Sequence, residues 1–209
     1  MIPQPGRLDG RISYMEIKYF SDKSVVIKSK KDTVLINPRK EDLDDSKMAS
    51  RIVVYTFDGF DYWEPENGER VVIRGPGEYE VGGVEIEGYK GGGEGNTIYT
   101  VLVEGVTVGV LGEMKEMLTD KKIERINAVD VMVVSIGREN KVTYKSMIDL
   151  AKRWGVNYLV PTNYQDDDLK KFLDETDNEG KEAIESLKVD KDGLPDGLEV
   201  VVLKDGRNN

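Results

Sequence analysis

The feature that most constrains the fold is a change in hydrophobic pattern about halfway along the chain. Before residue 119 the apolar residues form short runs rich in β-branched and aromatic side chains, separated by glycine and charged turns. After residue 119, runs spaced for one face of a helix alternate with short continuous runs typical of buried strands. A β-rich half followed by an α/β half indicates two packed sheets with helices outside. The predicted fold class is therefore α/β (α+β), a four-layer αββα sandwich of two mixed β-sheets.

The individual elements follow from the same patterns. We predict strands at residues 12–20, 25–27, 33–36, 52–56, 71–74, 79–81, 84–86, 97–103 and 106–111, and later at 131–136, 157–160 and 198–203. We predict helices at residues 119–126, 143–154 and 166–176, with a further candidate at 179–187. The segment 89–95 is too rich in glycine for the interior of an element, and its composition predicts a mobile loop.

The length of the chain bounds the number of domains. A chain of 209 residues can bury one sizeable core but not two ordinary ones. It contains no repeat of fixed period and no linker-like segment that would separate two cores. We therefore predict a single domain over residues 1–209, with its core over about residues 12–203.

The charge and the apolar pattern limit the partners. Forty acidic and thirty basic residues give a net charge of -10, which repels phosphate backbones and anionic lipid. The N-terminal residues lack a basic stretch followed by an apolar one, and no later apolar run approaches the ~18 residues of a membrane span. We expect a cytoplasmic protein that binds neither nucleic acid nor membrane.

The composition also limits the chemistry. The chain contains no cysteine and no histidine. Disulfides, thiolate metal sites and cysteine nucleophiles are excluded, and so are the commonest transition-metal ligand and the commonest general base. Carboxylate, amide, hydroxyl, lysine and main-chain groups remain.

Several segments resemble a known family in their order along the chain. They are Thr33-Val-Leu-Ile-Asn-Pro, Ile52-Val-Val-Tyr-Thr, Asn96-Thr-Ile-Tyr, Val108-Gly-Val-Leu-Gly-Glu, Leu118-Thr-Asp, Val129-Asp-Val-Met-Val-Val-Ser-Ile-Gly and Tyr158-Leu-Val-Pro-Thr-Asn-Tyr. Together they resemble the metallo-β-lactamase superfamily, in particular its small bacterial and archaeal branch of Zn-dependent hydrolases. The resemblance covers roughly residues 12–203. Asn37 stands where this family usually has an aspartate.

The resemblance implies a zinc site at the ends of strands, where bound zinc makes hydroxide available near neutral pH. Asp61 keeps the aspartate of the implied ligand pattern. The other implied ligand positions carry different residues in this chain, namely Phe57, Gly59, Tyr62, Lys90 (or its neighbour Tyr89), Glu113 and Asn163. Every ligand histidine is therefore replaced. We expect no zinc and no other cofactor, and a catalytically inactive protein with a binding, scaffold or regulatory role.

Two hypotheses remain open from the sequence. In the first, the protein binds a small molecule or a protein partner, a second copy of itself included. In the second, it is a hydrolase with Asp61 and Glu113 as catalytic residues. This hydrolase uses either an oxygen-only Mg²⁺, Mn²⁺ or Ca²⁺ site built from Asp58, Asp61, Glu113 and Asn163, or metal-free carboxylate chemistry. The alternative for Asp61 is structural, because aspartate often accepts main-chain N–H bonds in tight loops.

Aromatic residues cluster around the implied site. Phe57, Phe60, Tyr62 and Trp63 follow the strand at residues 52–56. They can line an apolar crevice for a ligand, or they can fill the space that a metal centre would occupy.

Overall fold

The computed structural model describes residues 14–39, 50–58, 70–126 and 128–206 of the chain. The strands within these ranges are β1 Met15–Ser21, β2 Ser24–Lys28, β3 Thr33–Ile36, β4 Ile52–Tyr55, β5 Val71–Arg74, β6 Gly77–Val81, β7 Val84–Lys90, β8 Thr97–Val103, β9 Val106–Val110, β10 Val131–Ser135, β11 Tyr158–Thr162, β12 Leu187–Val189 and β13 Glu199–Val200. The α-helices are α1 Asp120–Arg125, α2 Tyr144–Trp154 and α3 Asp166–Glu175. A short 3₁₀ turn spans Lys191–Gly193.

The strands form two sheets, and both sheets are mixed. The first has the order β12-β1-β2-β3-β4-β5, and the second has the order β13-β11-β10-β9-β8-β7-β6. In the first sheet β1 to β3 are antiparallel neighbours, whereas β4 and β5 continue in parallel. In the second, β6 to β9 form an antiparallel meander, and β10, β11 and β13 are added in parallel.

The strand periodicity of two assigns side chains to the two faces of the second sheet. Val131 and Val133 lie in the core between the sheets, whereas Met132 and Val134 lie in a separate core with the helices. That outer core contains Trp154 and other apolar residues of α2, as well as Phe172 of α3. The helices therefore cover the outer face of the second sheet.

The first sheet is also buried on its outer face. Val26, Leu35, Val53 and Tyr55 form a small cluster there, and all of them are buried. Each sheet therefore has apolar side chains on both faces, which is typical of a layered sandwich. The predicted fold class, an α/β sandwich with two mixed sheets, is confirmed. In the described ranges, no helix combines the length and the apolar character that a membrane crossing needs.

The candidate helix at residues 179–187 is wrong. The backbone of Ile184 is bonded to the C-terminal segment instead: its N–H donates to Val202 O at 2.9 Å, and its carbonyl accepts from Lys204 N at 2.9 Å. Leu187 then begins β12, which pairs with β1. A few apolar residues in a short segment fit a sheet edge as well as a helix, and only the neighbouring strands decide between them.

Strand β11 continues through Pro161 to Thr162, although the sequence predicts that it ends before the proline. β13 pairs only with Tyr158 and Leu159. On the side of β11 that Pro161 faces, β13 has therefore already ended. The proline has no N–H to donate, but its absence removes no hydrogen bond from the sheet.

The glycine-rich segment is packed against its neighbours, although its composition predicts a mobile loop. Gly91 and Gly92 are buried. Gly92 has a φ of 77°, a Cβ placed on it would lie 2.5 Å from Met114 Sδ, and its carbonyl accepts from Lys115 N at 2.6 Å. Here the glycine serves close packing and a left-handed backbone rather than mobility.

Candidate functional site

A small pocket lies between the two sheets, where several strands reach their carboxyl ends. The part next to the first sheet is lined by Lys23, Asn37, Thr56 and Phe57, and the part next to the second by Gly112, Glu113, Ser135 and Thr162. Ser135 and Thr162 are the last residues of β10 and β11. Carboxyl ends of strands are a common place for ligand sites in α/β folds. The pocket measures about 10 Å³, which is room for about one water molecule.

An ion pair between a partly exposed lysine and a buried carboxylate lies in this pocket. The ammonium of Lys23, in the turn between β1 and β2, contacts the Oε1 atom of Glu113, which follows β9. The Glu113 side chain is 7% exposed and that of Lys23 is 28% exposed. Apart from Lys23, Oε1 of Glu113 has no hydrogen-bond donor among the described residues. The lysine is therefore the described group that compensates this buried negative charge.

Asn37 connects the end of β3 to the end of β4. Its Nδ2 donates to Thr56 Oγ1 at 2.9 Å, and its Oδ1 accepts from Thr56 N at 2.8 Å. Its backbone carbonyl accepts from Ser24 Oγ at 2.8 Å. The residue has a φ of 48°, a left-handed conformation that asparagine tolerates better than most residues. This network holds Thr56 at the pocket with a neutral amide.

Gly112 allows the chain after β9 to pass close to two neighbouring side chains. A Cβ at this position would lie 2.5 Å from Asn96 Oδ1 and 2.9 Å from Thr56 Oγ1, and the φ is 65°. Asn96 is fixed there because its Nδ2 donates to Gly91 O at 2.8 Å and to Leu111 O at 3.0 Å. The close approach of Gly112 places Glu113 in the pocket.

Asn163 lies beside the pocket, next to one of its lining residues. Its Nδ2 donates to Ser135 Oγ at 2.9 Å, and its backbone N–H donates to Tyr19 Oη at 3.2 Å. Burial raises the pKa of the Tyr19 hydroxyl above its usual range, so this group stays protonated. The Tyr19 hydroxyl in turn donates to Asp22 O at 2.9 Å.

The structure places the other predicted site residues at different distances from the pocket. Phe57 lines it, and its ring lies 5.8 Å from Lys115 Nζ. Asp58 is exposed and its N–H donates to Gly95 O at 3.1 Å. Lys90 is exposed at the end of β7, opposite Thr97.

Gly59, Asp61 and Tyr62 lie outside the described residues, as do Phe60 and Trp63. The structure thus brings together Phe57, Glu113 and, through Ser135, Asn163, while Asp58 and Lys90 are not among the described residues that line the pocket.

Comparison with known proteins agrees with this architecture. Residues 16–163 match the family described as the beta-lactamase superfamily domain. The chain belongs to the metallo-β-lactamase superfamily.

Solved structures of this superfamily share the fold. A protein described as a Zn-dependent hydrolase of the superfamily from Thermotoga maritima has a TM-score of 0.73 and 22% identity, covering 90% of this chain and 98% of its own. The metallo-β-lactamase fold protein YhfI from Bacillus subtilis has a TM-score of 0.62 and 11% identity, covering 93% and 98%. A protein described as a metal-dependent hydrolase from Parabacteroides distasonis has a TM-score of 0.61 and 14% identity, covering 91% and 94%. None of the curated proteins matches this sequence.

The described residues of this superfamily member do not fit a zinc ion. Among them, no group of three or more His, Cys, Asp or Glu side chains converges in a way that could hold a metal. The one carboxylate in the described lining of the pocket, Glu113, is already paired with Lys23. Histidine and cysteine are missing from the whole chain. The described residues therefore supply neither the imidazoles nor the clustered carboxylates that the superfamily's zinc chemistry needs.

Sequence reasoning did not single out Lys23, Ser135 or Thr162 as site residues. Lys23 lies in a charged turn between two strands, where a lysine is ordinarily a solvated residue. Ser135 and Thr162 lie in otherwise apolar strands, and such polar residues at strand ends are a weak signal for a pocket. Their contribution depends on how the two sheets are packed.

Proposed function

We propose that this metallo-β-lactamase-fold protein is catalytically inactive and acts through binding, in a scaffold or regulatory role. The observation that carries the proposal is the pairing of the buried Glu113 carboxylate with Lys23. By the resemblance of its segment, Glu113 stands where the superfamily has a metal-bridging aspartate. In this chain the carboxylate has a lysine partner from the opposite sheet.

The pairing of Glu113 with Lys23 works against metal-dependent hydrolysis by this fold. Hydrolysis here depends on a metal ion that lowers the pKa of a bound water and so supplies hydroxide. A carboxylate engaged by an ammonium is a poor metal ligand, and the ammonium repels a divalent cation at short range. The amide of Asn37 also gives the surrounding network no negative charge with which to attract a metal.

The size of the pocket argues against a small ligand seated in it. Its described lining leaves about 10 Å³, which is far below the roughly 300 Å³ of small-molecule sites. A macromolecular partner, with a second copy of this chain as one candidate, therefore fits the proposal better than a small ligand seated in this pocket. The net charge of -10 disfavours nucleic acid and anionic membranes as partners. A cytoplasmic location is part of the proposal, and the lack of cysteine is compatible with a reducing compartment.

The test is metal analysis of the full chain purified without chelator, together with thermal melting in Zn²⁺, Mn²⁺, Mg²⁺, Ca²⁺ and EDTA. We expect no stoichiometric metal and no saturable change in Tm, because a metal bound only by the native state would have to stabilise it. Phosphodiester, thioester and lactone substrates should not be turned over. A stoichiometric bound metal, or turnover of any of these substrates, would contradict the proposal.

Substitution of Asp61 distinguishes our proposal from the hypothesis of an oxygen-only metal site, in which Asp61 is a catalytic residue. Under that hypothesis Asp61→Ala abolishes a metal-dependent activity. Under our proposal it costs only on the order of 1 kcal/mol of unfolding free energy, the contribution of a loop hydrogen bond. Asp149→Ala serves as the control, because Asp149 is an exposed carboxylate on α2.

A further inference from the structure

We infer that Lys23 acts as an internal cation in this pocket, supplying the positive charge that metal ions supply in hydrolases of this superfamily. The inference rests on the proposed function and assigns a role to a residue outside the implied ligand positions. In this view the site has exchanged an external cation for one that is part of the chain.

The burial of Glu113 is the first observation that supports an internal cation. The Glu113 carboxylate, with 7% of its side chain exposed, is costly to bury without a compensating partner. Its Oε1 contacts Lys23 and has no other donor among the described residues. Removing the ammonium would therefore leave a buried, uncompensated charge.

The position of the Lys23–Glu113 pair between the two sheets is the second observation. Lys23 belongs to the turn between β1 and β2 of the first sheet, and Glu113 follows β9 of the second sheet. The ion pair therefore connects the two sheets at the pocket. A metal centre held by loops from both sheets would make the same kind of connection.

The charge balance of the described pocket lining is the third observation. Apart from Lys23 and Glu113, the described lining is uncharged, and its polar side chains are the amide of Asn37 and the hydroxyls of Thr56, Ser135 and Thr162. One positive and one negative charge thus cancel within the described lining. The described lining therefore has no net charge with which to attract a divalent ion.

The first part of the test is a double-mutant cycle on the full chain in metal-free buffer. We expect Lys23→Met to lower Tm by on the order of 10 °C, since it breaks a buried pair. Glu113→Gln should lower Tm by less, because Lys23 is partly exposed and can be hydrated. The double variant should recover more than half of the loss caused by Lys23→Met, because a neutral pair leaves no buried charge.

A surface ion pair provides the matched control. Lys204 contacts Glu185 with side-chain exposures of 49% and 57%. Lys204→Met, Glu185→Gln and their combination should change Tm by only about 1–2 °C and should do so additively.

The second part asks whether an added cation can replace the ammonium. Lys23→Ala removes the charge and opens space beside Glu113. Mn²⁺, and separately ethylammonium, should raise its Tm by about 3–5 °C at saturation, compared with sodium chloride of equal ionic strength. Neither the native chain nor Lys23→Ala/Glu113→Gln should respond.

The outcomes separate this inference from the proposed function. Additive losses in the double variant, or a response of Lys23→Ala no larger than that of Lys23→Ala/Glu113→Gln, would overturn the internal cation alone. Uptake of metal by the native chain would overturn the proposed function. If the single variants fail to fold, soluble yield becomes the readout, and a double variant no better than Lys23→Met overturns the inference.

Discussion

At the scale of single residues, three of the described positions at or beside the pocket have a left-handed backbone. Asn37, Gly112 and Asn163 have φ values of 48°, 65° and 54°. Two are asparagine and one is glycine, the residue types that adopt this conformation at least cost. Each of them sets the direction of a chain segment as it leaves a strand. The left-handed backbone at these positions therefore helps to determine the shape of the pocket, independently of the chemistry of its side chains.

Two substitutions of Asn37 separate the contribution of its backbone conformation to stability from that of its side-chain hydrogen bonds. Asn37→Gly keeps the left-handed backbone but removes the bonds to Thr56, so we expect a loss of about 1–3 kcal/mol in the free energy of unfolding. Asn37→Ala should lose about 1 kcal/mol more, because a Cβ is disfavoured at this φ. Urea unfolding of the two variants measures the difference. Equal losses would show that backbone strain at this position contributes nothing.

At the scale of elements, the helices on the second sheet differ in how their first turns are capped. The Thr143 side chain accepts from Ser146 N at the start of α2. The equivalent residue of α1, Thr119, makes no side-chain cap bond. α2 ends in the left-handed Gly155, whose N–H donates to Ala151 and Lys152 carbonyls. Local signals therefore define both ends of α2, whereas α1 depends more on its packing.

The two threonines form a matched pair of variants. Thr143→Ala should cost about 1 kcal/mol, since it leaves an N-terminal N–H of the helix without its partner. Thr119→Ala should change the free energy of unfolding by less than about 0.5 kcal/mol. Chemical denaturation of both variants tests this. A Thr119→Ala loss as large as that of Thr143→Ala would contradict the assignment of the caps.

At the scale of the whole molecule, packing of the layers buries several tyrosine hydroxyls. Tyr19 and Tyr164 lie with ring centroids 6.0 Å apart near the C-terminal segment, where Tyr164 Oη donates to Leu203 O at 3.4 Å. Tyr99 donates to Gly75 O at 2.9 Å. Burial is the main cause that raises the pKa of all three, and it raises the pKa of Tyr164 to about 12. The folded state thus keeps these phenols protonated.

This burial predicts a loss of stability at alkaline pH. Below the unfolded-state pKa of about 10, both states are protonated and the tyrosines contribute fully. Above it the unfolded chain loses protons that the native state retains, so stability falls as the pH rises toward the Tyr164 value of about 12. Urea unfolding from about pH 9 to about pH 12 should show a shallower fall for Tyr164→Phe than for the native chain. Parallel curves would contradict the role of Tyr164.

Much of the architecture was predictable because it depends on local periodicity. β3, β5 and β8 have their predicted bounds, and α2 begins one residue after its predicted start. The errors lie where a short apolar segment fits two patterns, as at residues 179–187, or where the neighbouring strand decides, as at Pro161. Asp61 and its neighbours lie outside the described residues, so their predicted roles stay predictions.

By itself, the sequence determined the fold class and the loss of imidazole and thiolate ligands, because the first follows from hydrophobic periodicity and the second from composition. Only the tertiary structure decided that Glu113 meets Lys23 and that Asn163 meets Ser135. These partners are distant in the chain and lie on different strands or different sheets. No local pattern encodes such contacts, because the packing of the two sheets determines which strand ends face each other.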